Sequence, residues 1–128
     1  MVKQSVVVSV DVSDEDILDM IDTAGYGIGY WCQRAVVDTN KRQYVLTPDA
    51  EARENDETMA REFIINFDDI VRVLVEIAIG KHDVGYPREY AQNWFSGIIV
   101  DGTNSGDLDT DIMDCVIQIC AFGEVVFG

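Results

Sequence analysis

Gly25-Tyr-Gly-Ile-Gly-Tyr-Trp-Cys-Gln-Arg-Ala-Val-Val-Asp38, continued by Thr39-Asn-Lys-Arg-Gln-Tyr-Val-Leu46, is the stretch on which the fold turns. From Tyr26 to Val37 the bulky residues suit one long strand. Asp38 to Lys41 has turn composition, and Arg42 to Leu46 suits a returning strand, so the pair predicts an antiparallel hairpin. In such a strand Gly25, Gly27 and Gly29 share one face and leave it bare for the close approach of a helix or another backbone. Tyr26, Ile28 and Tyr30 then share the opposite face. The glycine spacing is not that of a dinucleotide fingerprint, which places G-x-G-x-x-G between a strand and a helix. Here the glycines follow a helix and enter a strand.

Upstream, Ser5 to Val12 is rich in β-branched residues and predicts a strand. Ser13 caps a helix whose first turn holds Asp14, Glu15 and Asp16, where carboxylates suit the positive end of the helix dipole. Ile17, Leu18, Ile21 and Ala24 form its inner stripe, and Glu15, Asp19 and Asp22 a single acidic stripe outside. Gly25 is suited to stop this helix. Downstream, Thr47 to Glu57 is polar and reads as a loop, and Glu62-Phe-Ile-Ile adds a short strand. Asn66 is placed to cap a helix over Phe67 to Ile79, closed by Gly80 and apolar around most of its circumference. Pro87 begins a third helix that includes Tyr90, Trp94, Phe95 and Ile98. A fourth, mostly apolar, runs from about Leu108 to Phe122.

The order β-α-β-β-(β)-α-α-α predicts a single α+β domain over residues 1–128, a small antiparallel sheet of three to four strands with helices packed on one face. A chain of 128 residues with 48% hydrophobic residues can bury a core without staples. Two nearly all-apolar helices and the tail Val125-Val126-Phe127 exceed what one small sheet hides, which points to a homodimer interface on those elements.

Charge is the second deciding feature. The chain carries 24 acidic and 9 basic side chains, for a net charge of −15. Residues 1–33 contain one base, Lys3, and no Lys or Arg follows Arg88. A field of this sign repels nucleic acid and anionic membrane and attracts basic surfaces. Neither an apolar leader nor a run long enough to span a bilayer is present, and the three cysteines, Cys32, Cys115 and Cys120, lack zinc-type spacing. A cytoplasmic protein with reduced thiols is expected.

No constellation for catalysis emerges. His82 is the single histidine, in a loop context, and Cys32 would be its only strand-borne thiol partner. Asp101-Gly-Thr-Asn-Ser-Gly106 resembles a calcium loop in composition. Aligned from Asp101, however, position 12 is Ile112 where a bidentate Glu is required. No cofactor or metal is therefore expected. The acids themselves remain, in two rows: Asp14, Glu15, Asp16, Asp19 and Asp22 on the first helix, and Asp101, Asp107, Asp109, Asp111 and Asp114 around the last. Carboxylates in such rows can occupy a groove shaped for the phosphate backbone and make charge-assisted contacts with its Lys and Arg.

The stretch from Asp19 to Asp38, with the ending Cys120-Ala-Phe-Gly-Glu-Val-Val-Phe-Gly128, resembles small uncharacterised acidic proteins of actinobacterial phages and related mobile elements. In general character the chain is also similar to phage anti-defence proteins, including DNA mimics that block restriction or CRISPR nucleases. The resemblance implies an inhibitor or accessory protein acting on a host nucleic-acid enzyme in the host cytoplasm, and it carries over no functional residue. Three expectations follow from the chain as a whole. The first is a non-catalytic acidic module on the basic surface of a nucleic-acid-binding protein. The second is a homo-oligomeric scaffold with a solubilising surface. The third is a small-ligand or divalent-metal module at Asp101–Asp114.

Overall fold

The computed structural model describes residues 12–50, 61–78, 81–82 and 110–127. Within them the order is α1 (Asp14–Gly25), β1 (Cys32–Asp38), β2 (Gln43–Pro48), β3 (Phe63–Asn66), α2 (Phe67–Ala78) and α3 (Thr110–Phe122). The three strands form one antiparallel sheet in the order β1-β2-β3, and the fold is α+β as expected. The expected strand over Ser5–Val12 and the expected helix from Pro87 to Ile98 lie outside the described residues, save Val12, which is not in a strand.

α1 begins as its sequence dictates. Ser13 is extended, and its Oγ accepts the Asp16 N–H at 3.2 Å. Ile17, Met20, Ile21 and Ala24 are buried along the inner stripe. The stretch from Tyr26 to Trp31 is not a strand. It winds through consecutive turns, with Gly27 N and Ile28 N donating to Ala24 O, and Trp31 N and Cys32 N donating to Ile28 O. Ile28 and Trp31 are buried while Tyr26 and Tyr30 are exposed, so the expected alternation of faces does not hold. The close approach expected at a glycine does occur. A Cβ on Gly27 would stand 2.7 Å from the carbonyl oxygen of Thr110, where α3 begins. Gly25 and Gly29 have open space around them.

β1 starts only at Cys32. Its pairing with β2 shifts between Cys32 and Arg34, so Gln33 is the extra residue of a bulge. The bulge turns Cys32 inward opposite Pro48 while Arg34 faces out opposite Thr47. Beyond it the register is regular, and β2 alternates between half-buried and buried positions. The open face is a grid of cross-strand rows. Arg34 and Thr47 lie at the Glu62 end, Val36, Val45 and Ile64 in the middle, and Asp38, Gln43 and Asn66 at the hairpin end. The inner face carries Tyr44, Leu46 and Ile65, all buried.

α2 follows β3 without a linker. Asn66 is the last strand residue and its amide oxygen accepts from Gln43 Nε2 rather than serving as the expected cap. Phe67, Ile70, Val73, Leu74 and Ile77 pack inward. α3 is enclosed by α1, α2 and β3, and every residue from Ile112 to Ile119 is buried. Its apolar circumference is therefore consumed within one chain. The same holds for the tail, where Val125 and Phe127 pack on the core and only Val126 is substantially exposed. Of the two apolar helices and the tail expected to carry a dimer interface, α3 and most of the tail are thus buried within the chain itself. The sheet covers one side of the helix, and two other helices cover the rest.

Candidate functional site

The ten acids singled out from the sequence do not form two equivalent rows. Asp101, Asp107 and Asp109 lie outside the described residues. On α1, Glu15 and Asp22 are exposed, Asp19 is half-buried, and Asp16 is 9% exposed, turned toward the core side of the first turn. Asp14 is exposed but engaged. Arg42 Nη2 donates to its Oδ1 at 2.9 Å and Arg42 Nε to its Oδ2 at 3.0 Å. The same Nη2 donates to Asp68 Oδ1 at 3.0 Å, so one guanidinium joins the starts of α1 and α2. Both carboxylates push the Arg42 pKa upward.

Arg42 reaches this position from the hairpin turn with a φ of 54°, a left-handed conformation uncommon outside glycine. Its carbonyl accepts the Phe67 N–H and its guanidinium lies 5.6 Å from the Phe67 ring centroid. These contacts hold the strained residue in place. The sequence shows Arg42 as one base among several, and only the left-handed turn reveals it as the fastener of two helix starts.

Asp111, on the first turn of α3, is exposed. Asp114 is not part of an outward row. It is 8% exposed and accepts Trp31 Nε1 at 2.8 Å, Tyr30 Oη at 2.6 Å and Gln118 Nε2 at 3.0 Å. This correction has a simple cause. One turn inside α3 the helix is enclosed, and a carboxylate there is stable only with a full set of donors.

Gln118, one turn further on, pairs with the main chain of the tail. Its Oε1 accepts Val126 N and Phe127 N at 2.8 and 2.7 Å, and its Nε2 donates to Phe127 O at 2.9 Å. The Phe127 ring stacks on Trp31 at 5.6 Å with an interplanar angle of 8°. Burial and the Asp114 carboxylate push the Tyr30 phenol well above its ordinary range. The sequence does hold a signal for this network. Asp114 and Gln118 are the only polar residues between Ile112 and Ile119, and they are four apart.

The positive side chains near the end of α2 are also spoken for. Glu76, whose side chain is 11% exposed, receives Arg72 Nη1 at 2.8 Å and Lys81 Nζ at 3.0 Å, with His82 Nε2 at 3.5 Å. Lys81 foremost, with His82 and Arg72, holds the Glu76 carboxyl below its ordinary pKa. Cys32 donates to the carbonyls of Arg34 and Thr47, and burial pushes its thiol pKa up, which leaves a neutral thiol.

What remains facing solvent as a set is the outer side of α1, with Glu15, Asp19 and Asp22 carrying no ion pair among the described residues. At i, i+4 and i+7 they place one carboxylate per about 5 Å of helix axis, against about 3.4 Å per phosphate along one DNA strand. That density makes an acidic patch sparser than a nucleic-acid strand. No group of three or more His, Cys, Asp or Glu among the described residues is arranged to hold a metal ion. Nor is any helix among them long and apolar enough to cross a membrane. No family model, no curated protein and no solved structure matches this chain.

Proposed function

We propose that the chain is a non-catalytic acidic binding module. It seats the outer face of α1 in a basic groove of a nucleic-acid-binding protein, as an inhibitor of the kind phages direct at host defence or DNA- and RNA-processing enzymes. The observation that carries this reading is the division of labour among the acids. Asp14, Asp16 and Asp114 are engaged in or turned toward the fold, whereas Glu15, Asp19 and Asp22 lie on the outer side of one capped helix with no ion pair among the described residues. A patch of this kind accelerates encounter with a basic surface and sets orientation more than it supplies raw affinity.

The test uses proteins from a bacterial lysate held on immobilised duplex DNA. Addition of the chain should release a subset of them bound to it. The release should fade as NaCl rises from about 50 to about 500 mM, because exposed charges are screened over that range. The triple variant Glu15→Lys/Asp19→Lys/Asp22→Lys, with its helical circular dichroism retained, should release at least about tenfold less. Release that is indifferent to the triple variant overturns the reading.

A further inference from the structure

The open face of the sheet is not used by the core and is not part of the acidic helix face. Its middle row is apolar and uncovered, with Ile64 57% and Val36 43% exposed and Val45 between them. Around that row lies a shallow cleft of about 300 Å³, bordered by Arg34, Asp38, Thr47 and Glu62. Arg34 and Asp38 sit on the same strand on either side of Val36, about 13 Å apart at the backbone, too far to pair with each other. Arg34 has no ion pair among the described residues. Asp38 uses one oxygen to accept the Lys41 N–H.

We infer that this face is a self-association surface whose occupant is a second copy of the chain. A two-fold axis laid along the Val36–Val45–Ile64 row brings each apolar residue over its own equivalent. It also brings the Arg34 end of one sheet over the Asp38 end of the other, twice, because an isologous contact repeats every pairing. Two sheets packed this way are antiparallel across the interface and keep the usual separation of about 10 Å, which a Val–Val layer fills. The rim is then Thr47 facing Gln43 and Glu62 facing Asn66, pairs that can hydrogen-bond and do not repel. The outer face of α1, by contrast, would place carboxylate on carboxylate.

The covered footprint is about 240 Å² per copy, from three strands about 4.8 Å apart and five residues long. A stable standard interface buries about 800 Å² per partner, so the dimer is weak and reversible. Each copy carries −15, so salt strengthens this contact, opposite to the trend proposed for the α1 face.

Sedimentation of the full chain from about 10 µM to about 1 mM in about 300 mM NaCl tests it. The weight-average mass should climb from the monomer's 14.3 kDa toward twice that value. Val45→Glu sets two carboxylates against each other on the axis and should leave a folded monomer throughout. Arg34→Asp should weaken association at least about tenfold, and Arg34→Asp with Asp38→Arg should restore it to within about threefold of the wild type. Should the double swap disturb the hairpin turn, Val45→Glu still decides. A wild type that stays monomeric at about 1 mM overturns the inference, as does a dimer that survives Val45→Glu or a folded double swap no stronger than the single change.

Discussion

Trp31 Nε1 donates to Asp114 Oδ1 at 2.8 Å, and so ties the turn after α1 to a helix 83 residues further along the chain. Tyr30 and Gln118 complete the shell of that carboxylate. Its removal strands the buried Trp31 N–H, while Tyr30 and Gln118 keep the Phe127 carbonyl as acceptor. Asp114→Ala should therefore cost about 3 kcal/mol, and Asp114→Asn, which keeps an acceptor, about 1–2 kcal/mol. Urea unfolding followed by Trp fluorescence reads both. Equal losses for the two variants would mean that the site is not built around hydrogen bonding.

Gly27 separates two backbones. With Thr110 O only 2.7 Å from where its Cβ would stand, Gly27→Ala must push a helix start aside. A loss of about 1–3 kcal/mol is expected, in the range of overpacked cores. Gly25→Ala, in open space at the end of α1, should instead be neutral or stabilise by about 0.4–1 kcal/mol through the unfolded chain. Thermal melts of the pair should move in opposite directions, or one should stay still while the other falls.

This pair also marks how far the sequence could be read. The capped first helix, the hairpin turn, the short strand before α2 and the extent of α3 were all legible, because each has local chemistry: Ser13 before three acids, turn residues at 38–41, an apolar run. The stretch 26–31 was not. Bulky residues alternating with glycine have the period of a strand, yet the same glycines allow tight turns, and contact with Thr110 decides between the two. Asp114 was misplaced for a related reason. In sequence it continues the series Asp107, Asp109, Asp111, and only the enclosure of α3 separates a buried acceptor from its exposed neighbours.

The tail is held through its main chain. Gln118→Ala removes three hydrogen bonds to Val126 and Phe127, and Phe127→Ala removes the stack on Trp31. Each should cost about 1–2 kcal/mol and make residues after Gly123 the first site of proteolytic cutting. Mass spectrometry of a brief protease digest checks this; an uncut tail in both variants would show that packing of Val125 alone suffices.

Stability should fall at both ends of the pH scale for different residues. The Tyr44 phenol is pushed up to about 12 by burial, and Tyr30 moves the same way. A raised folded pKa gives stability that is whole below the unfolded value of about 10 and is lost as pH rises through the folded one. The Glu76 carboxyl is lowered, chiefly by Lys81, so its contribution is whole above about 4.3 and is lost as pH falls through its folded value. Urea midpoints across pH should show an alkaline limb that Tyr44→Phe flattens and an acid limb that Glu76→Gln flattens.

The thiols should be silent in the native state. Burial foremost, with Asp69 nearby, pushes Cys120 up to about 12, Cys32 is likewise raised, and Cys115 is buried. A thiolate-selective disulfide reagent at neutral pH should label them only at the rate of unfolding. Labelling at the rate of a free thiol would contradict the packing of these residues.

Gln33 has a consequence for how this chain can drift. It is the one surplus residue in β1, and the bulge absorbs it so that the thiol before it points in and the arginine after it points out. Its own side chain is exposed, so almost any replacement there should be harmless. Its loss should be tolerated as well, since Cys32 opposite Pro48 and Arg34 opposite Thr47 would then be consecutive pairs of a regular ladder with their faces unchanged. Natural variants should thus tolerate both exchange and loss of the letter at position 33.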